Sequence, residues 1–336
     1  MERKLVTIQK IDNIKPIEGA DKIELAIIKG WQVVVQKGLY KIGELILFYE
    51  IDSFLPVIPE YDFLLKGNKS KKMLVDGIEK EGIRLRTVKL RKQISQGLVM
   101  PLSLLGRKGE IGEDISAELG VIKWEPPISA NLTGLFKGNF PYFIPKTDEE
   151  RIQNIPDILN NERNIVITEK IDGCSVTFFK NENQFGICSR NLELKEGETT
   201  QWKFAKENDL INKLPEGYAI QGELVGEGIQ GNNLKLKGHN VYFFNVFDIK
   251  NQKYLDFIDF RNFIKELNLE IVPVITENGQ LPQTLDYMLN FAEGKSILNE
   301  NVEREGIVVR TKTEEIYKGE RFSFKVISNQ YLLKEK

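Results

Sequence analysis

Histidine and cysteine are nearly missing from this chain. One histidine, His239, stands among 336 residues, and the two cysteines, Cys174 and Cys188, form neither a CxxC pair nor a Cys/His metal spacing. A Ser-His-Asp or Cys-His nucleophile has almost nothing to draw on, although His239 remains available as a lone acid or base. Structural zinc is not expected, and the cysteine usage fits a reducing cytosol. Long apolar runs are lacking too: none nears the roughly 20 residues that cross a bilayer, and MERKLVTIQK opens without a signal-peptide core. The expected location is cytoplasmic, with no membrane and no evident obligate protein partner. Nor does one charge dominate, since 47 Lys and Arg face 49 Asp and Glu for a net charge of −2. Any nucleic-acid surface must therefore be local.

What is present is the composition of a folded protein, 41% hydrophobic and 29% charged. At roughly 100–200 residues per domain, the length predicts two domains. From Lys4 to Leu105 short β-type segments follow one another (LVTIQKI, IELAIIKG, WQVVVQKG, ELILFYEI, GIRLRTVKL, QGLVMPL), punctuated by Gly, Pro and Asp. This is the pattern of a small β-barrel or sandwich. The polar, Gly-rich GRKGEIGEDIS breaks it, which puts the boundary near residue 120 and the domains at 1–120 and 121–336. The stretches WEPPIS and FPYFIPKTDEERIQNI read as a linker wrapping onto the second half. There, strands such as NIVITEK, YAIQGELVG, VYFFNVFDI and GIVVRTK outnumber the helical stretches TTQWKFAKENDLINKL, RNFIKELNL and TLDYMLNFAEG. The expected class is α+β with antiparallel sheets and flanking helices.

Two local basic clusters stand out. Arg84, Arg86, Lys89, Arg91 and Lys92 place five cations in nine residues without an acid, and Lys66, Lys69, Lys71 and Lys72 form the second. Arg84 and Arg86 alternate on one face of a predicted strand, as an edge protected by charge or as contacts to RNA phosphates. Aromatic stacking on a single strand by Trp31, Phe48 or Tyr49 competes with the need of a barrel for aromatics inside.

Lys170-Ile171-Asp172-Gly173 lies between the apolar runs IVIT and VTFF. Alone, such a lysine is unremarkable. It is followed in order by Ser189-Arg190, Gly222-Glu223-Leu224, Phe247-Asp248-Ile249, Glu305-Gly306-Ile307-Val308 and Ser323-Phe324-Lys325. This ordered set resembles the motifs of the covalent nucleotidyltransferases, the superfamily of polynucleotide ligases and mRNA capping enzymes. PIEGADKIELA, GWQVVVQKG, EIDSFLP, LRTVKLRKQISQGLVMPL, FIPKTDEERIQN and FKVISNQYLL extend the resemblance end to end to one branch, the RNA ligases of the Deinococcus radiodurans type, with an OB-like domain in front of the transferase domain. Eleven residues follow Lys325, so the C-terminal OB domain of DNA ligases and capping enzymes is not expected.

The resemblance implies an ATP-dependent RNA ligase: AMP onto Lys170, AMP onto a 5′-phosphate, then attack by a 3′-hydroxyl, on nicked duplex RNA or an RNA/DNA hybrid. Asp172 and Glu305 would organise metal waters, Lys325 would contact the α-phosphate, and Glu223 and Arg190 the ribose or incoming strand. Phe247 and Val308 would sandwich the adenine, such stacking contributing about 1–3 kcal/mol. Arg84, Arg86, Lys89 and Arg91 are the RNA-binding candidates. The last motif departs from the usual Lys-x-Lys, with Ser323 in its first position. Elementary chemistry agrees: a lysine titrates near ~10.4 and must lose a proton to attack phosphorus, while Asp172, Glu223 and Glu305 would keep it charged. Those carboxylates are therefore expected to hold Mg²⁺, or Mn²⁺, through its waters. A GTP-using capping enzyme and an RNA-binding module with a degenerate transferase domain remain as alternatives. Taken alone, Phe247 reads as a strand core residue, Glu305 as solvated, Cys174 as a small filler and His239 as a loop residue.

Overall fold

The computed structural model describes residues 3–66, 69–75, 78–125, 134–160 and 162–334. It divides into two compact units, Met1–Ile128 and Ser129–Lys336. The first unit extends past residue 120 because the strand Ile122–Lys123 pairs with Phe54 and Ser53. Its strands are short and antiparallel. Val6–Lys10, Leu45–Tyr49 and Leu98–Pro101 form one group, Asn13–Pro16, Ile23–Ile28 and Trp31–Gln36 a second, and Ser53–Pro56, Lys71–Val75 and Ile78–Arg84 join Ile122–Lys123 in a third. Trp31 and Phe48 are buried in its core beside Val33, Ile46 and Val99, so they are interior aromatics and not stacking platforms. Tyr49 is likewise buried, its hydroxyl 2.9 Å from that of Tyr61.

GIRLRTVKL does not form one strand. The first strand ends at Arg84, and Val88–Leu90 starts a separate hairpin with Gln93–Ser95. Arg86 therefore lies in the connection, although both arginines stay exposed on either side of buried Leu85. Part of WEPPIS falls outside the described residues.

The second unit is built on two sheets. The larger runs Phe136–Asn139, Leu192–Leu194, Gln184–Cys188, Cys174–Asn181, Tyr218–Gly226, His239–Asp248 and Lys253–Tyr254, with Glu270–Ile271 paired to His239–Asp248. The smaller runs Glu150–Arg151, Ser323–Ile327, Gly306–Thr311, Asn164–Lys170 and Val274–Gln280. The pairings are antiparallel except those of Glu150–Arg151 with Phe324–Lys325 and of Glu270–Ile271 with Tyr242–Phe243. One face of the larger sheet buries Val176, Phe178, Ile220 and Phe243 against the helices Thr200–Glu207 and Phe257–Glu266. One face of the smaller sheet buries Ile165, Ile167, Ile307, Val309, Phe324 and Val326 against the helix Leu285–Phe291 and its flanks. TTQWKFAKENDLINKL breaks into two helices at Asp209, whose φ of +55° ends the first. The stretch FPYFIPKTDEERIQNI packs into this unit, with Ile144 and Ile152 both buried.

Candidate active site

Because strand side chains alternate, each residue buried on one face puts its neighbour on the other. In the smaller sheet that second face carries three cross-strand rows: Lys170, Gly306 and Ile327; Thr168, Val308 and Lys325; Val166, Arg310 and Ser323. In the larger sheet the rows are Ser175, Glu223 and Tyr242; Thr177, Gln221 and Asn245; Phe179, Ala219 and Phe247. A β-bulge between Phe243 and Asn245 shifts the alternation there, so that Tyr242 and Phe247 come to share a face despite their odd separation.

Lys170 ends its strand with Nζ 2.7 Å from both carboxylate oxygens of Glu305. Burial pulls its ammonium down, but the Glu305, Glu223 and Asp172 carboxylates outweigh it and hold the amine above its ordinary value. Among the described residues Glu223 has no such close partner. Burial pushes its carboxyl up to about 8; Lys170 and Arg190 oppose the rise, and Glu305 and Asp172 add to it. Asp172 Oδ2 accepts hydrogen bonds from Tyr331 Oη at 2.6 Å and Asn233 Nδ2 at 2.7 Å.

Two glycines make this close approach possible. A Cβ on Gly173 would lie 2.3 Å from the Leu224 carbonyl oxygen, and one on Gly306 would lie 2.1 Å from that of Val326. Any side chain would force the strands bearing Glu223 and Lys325 away from Lys170.

An OB-fold domain model matches residues 5–102 and an RNA ligase model matches residues 163–327. The structure is similar to Naegleria gruberi RNA ligase over nearly its full length. A mutant of that enzyme with ATP and Mn is 39% identical, with 99% of each chain covered and a TM-score of 0.85. Another, with AMP and Mn, is 41% identical, with 99% of each chain covered and a TM-score of 0.84. The chain belongs to the RNA ligase family. The same Naegleria enzyme with PPi matches at 41% identity, 98% of each chain and a TM-score of 0.82. None of the curated proteins compared matches.

The other anticipated residues of this ligase are distributed as follows. Arg190 pairs with Asp148, Nη2 lying 2.7 and 3.0 Å from its two oxygens. Lys325 sits beside Val308 in the second row of the smaller sheet. Phe247 is buried among Ile144, Phe179, Cys188 and Ala219, its ring edge-on to Tyr254 at 5.0 Å. His239 opens a strand and does not lie in a loop; its Nε2 is 2.8 Å from the Glu227 carbonyl oxygen. Cys174 is half-buried, with Gln230 Nε2 3.6 Å from its sulfur.

The arrangement around Ser323 explains the missing lysine of the last motif. Ser323 Oγ accepts from Arg310 Nε at 3.2 Å, and Arg310 Nη2 reaches Glu149 at 2.6 Å. Arg321 donates to Asn245 Oδ1 at 2.7 Å and lies over the Tyr254 ring at 3.9 Å. Two guanidinium groups already fill this region, and a lysine at 323 would bring a third buried cation against Arg310. Arg310, Glu149, Asp148, Asn233 and Tyr331 are not singled out by sequence reasoning, although Asp148 and Glu149 lie in FIPKTDEERIQN and Tyr331 in FKVISNQYLL, two stretches that carry the family resemblance.

Asp172, Glu223 and Glu305 offer oxygen donors only, which suits Mg²⁺ or Mn²⁺. Three carboxyl groups surround one ammonium, and burial, more than its acidic neighbours, holds Glu223 high. Among the described residues no cluster of three or more His, Cys, Asp or Glu is close enough to hold an ion directly.

Proposed function

We propose that this RNA ligase is ATP-dependent and joins 3′-hydroxyl and 5′-phosphate ends through a lysyl-AMP at Lys170 and then an RNA-adenylate. The carrying observation is the Lys170 amine held 2.7 Å from Glu305 within a three-carboxylate surround. Attack on phosphorus needs a neutral Nζ, and these carboxylates oppose its formation. Asp172, Glu223 and Glu305 would hold Mg²⁺ or Mn²⁺ through its waters; bound, the cation neutralises the carboxylates and the α-phosphate charge. Nζ, once free of its proton, forms a bond to the α-phosphorus as the bond to pyrophosphate breaks, with Lys325 contacting the α-phosphate. An RNA 5′-phosphate oxygen then takes the AMP and frees Lys170, and a 3′-hydroxyl oxygen finally displaces AMP. Arg190 and Glu223 serve the ribose or the incoming strand, and the adenine enters between the faces carrying Phe247 and Val308. That the Naegleria relative has been solved with ATP, AMP, PPi and Mn supports this reading by analogy.

Incubation with ATP radiolabelled at the α-phosphate tests it. Covalent label on the protein from ATP and none from equally labelled GTP is expected. No label from ATP, or equal label from GTP, would overturn it.

We further infer that the enzyme is of the Deinococcus radiodurans type and seals nicks in duplexes with RNA on the 3′-hydroxyl side. The OB-fold unit is assigned the duplex contact through Arg84, Arg86, Lys89 and Arg91. Arg84 is partly committed, at 2.7 Å from Asp52 and 5.6 Å from the Trp124 ring centre. The hairpin Val88–Ser95 is the better RNA element. Its two-residue turn is Arg91-Lys92, with φ of +50° and +67° where Asn-Gly is usual. Two cations held at positive φ cost about 1–2 kcal/mol each, a strain that phosphate contact explains. Arg91→Asn with Lys92→Gly is expected to stabilise the protein by about 1 kcal/mol or more in urea melts. The slope of log affinity for nicked RNA/DNA against log salt should fall by about 1.5. An unchanged slope would remove the hairpin from the RNA interface.

A further inference from the structure

Tyr331 and Asn233 converge on a single oxygen of Asp172. Both donate to Oδ2, and they lie 3.2 Å from each other. Oδ1 accepts no hydrogen bond among the described residues. Without these donors the nearby Lys170 ammonium would attract the whole carboxylate, drawing Asp172 into the ion pair that Glu305 already makes.

Tyr331 owes its position to a capped turn. The helix Asn329–Lys334 starts after Ser328, which is fully buried and whose Oγ accepts from the Tyr331 amide at 3.1 Å. The Glu293 carboxylate accepts from Ser328 Oγ at 2.7 Å and from the Asn329 and Gln330 amides at 2.8 and 3.2 Å. The Ser328 amide in turn donates to the Glu305 carbonyl at 2.8 Å. One turn thus fixes Glu305 through its backbone and Asp172 through Tyr331. Asn233 stands in a connection closed on itself by Asn232, whose Nδ2 reaches the Leu236 carbonyl at 2.8 Å and whose Oδ1 accepts from the Leu236 amide at 3.0 Å.

We propose that Tyr331 and Asn233 are positioning residues that clamp Oδ2 of Asp172, so that Oδ1 is kept for the water shell of the divalent cation and away from Lys170. The proposal rests on the reading that Asp172 helps to hold that cation. Groups that orient a metal-binding carboxylate typically change metal affinity by about 10–100-fold when removed.

The test compares wild type with Tyr331→Phe and Asn233→Ala, using Mn²⁺ as the probe. Mn²⁺ binding is read by the electron paramagnetic resonance of free Mn²⁺ in the presence of α,β-methylene-ATP, which cannot transfer AMP. The Mn²⁺ requirement for labelling Lys170 is measured in parallel. Each variant should weaken Mn²⁺ binding and raise the half-saturating Mn²⁺ by about 10-fold. The KM for ATP at saturating Mn²⁺ should stay within about twofold. In an Asp172→Asn background, Tyr331→Phe should weaken Mn²⁺ binding no further. Wild-type Mn²⁺ affinity in both variants, or an additive loss in the Asp172→Asn background, overturns the clamp. Should Tyr331→Phe fail to fold, Asn233→Ala decides alone. Failure of the wild type itself to label at any Mn²⁺ concentration instead overturns the ligase reading beneath it.

Discussion

Lys170→Arg is expected to take up no AMP, a loss of at least about 1000-fold, while melting close to wild type. Arginine is the informative replacement because it keeps the positive charge that Glu305 grips from 2.7 Å, so the ion pair and the crowded carboxylates stay compensated. Lys170→Ala would also lose the label, but it would leave Glu305, Glu223 and Asp172 without their shared cation and confuse chemistry with stability. A guanidinium is not deprotonated in proteins and cannot become the neutral nucleophile that attack on phosphorus needs. Radiolabel retained on a denaturing gel, with a urea melt beside it, measures both arms. Label on Lys170→Arg would show that another residue is the nucleophile.

The ordered motifs were legible because strands encode their faces locally. Alternation around IVITEK, GIVVR and SFKVI is enough to set Lys170, Val308 and Lys325 on the face opposite Ile167, Ile307 and Phe324, and the register then makes them neighbours. The glycines after Asp172 and Glu305 were legible as parts of a motif; their cause, two carbonyl oxygens that leave no room for a Cβ, belongs to packing. Pairings between distant segments left no trace in the sequence. Tyr331 reaches Asp172 across 159 residues and Arg310 reaches Glu149 across 161, and neither partner is part of a periodic pattern shared with the other. Arg86 reads as a strand residue because buried Ile83 and Leu85 continue the alternation past the last paired residue, Arg84. The bulge in VYFFNVFD is of the same kind: it moves Phe247 to the site-bearing face through a pairing irregularity that composition does not show.

Glu223→Gln should separate the needs of catalysis from those of the fold. Its carboxyl is driven up to about 8, above all by burial, while an unfolded glutamate titrates near ~4.3. Between those values the folded enzyme holds a proton that the unfolded chain has released, so stability is lost as pH rises through this window and the loss is complete above about 8. Glutamine keeps the shape and does not titrate. Without nucleotide or metal, Glu223→Gln should therefore melt near wild type at about pH 4 and become the more stable protein towards pH 9, by about 2 kcal/mol once screening at this partly exposed site is allowed for. The same change removes a carboxyl that would ionise beside the cation, and AMP uptake should fall by about 100-fold. The two outcomes have one origin: a buried carboxyl that resists ionisation costs the resting fold stability at high pH and gives up its proton readily beside a cation. A stability difference that does not widen with pH would show that Glu223 is already ionised and compensated in the resting protein, contrary to this reading.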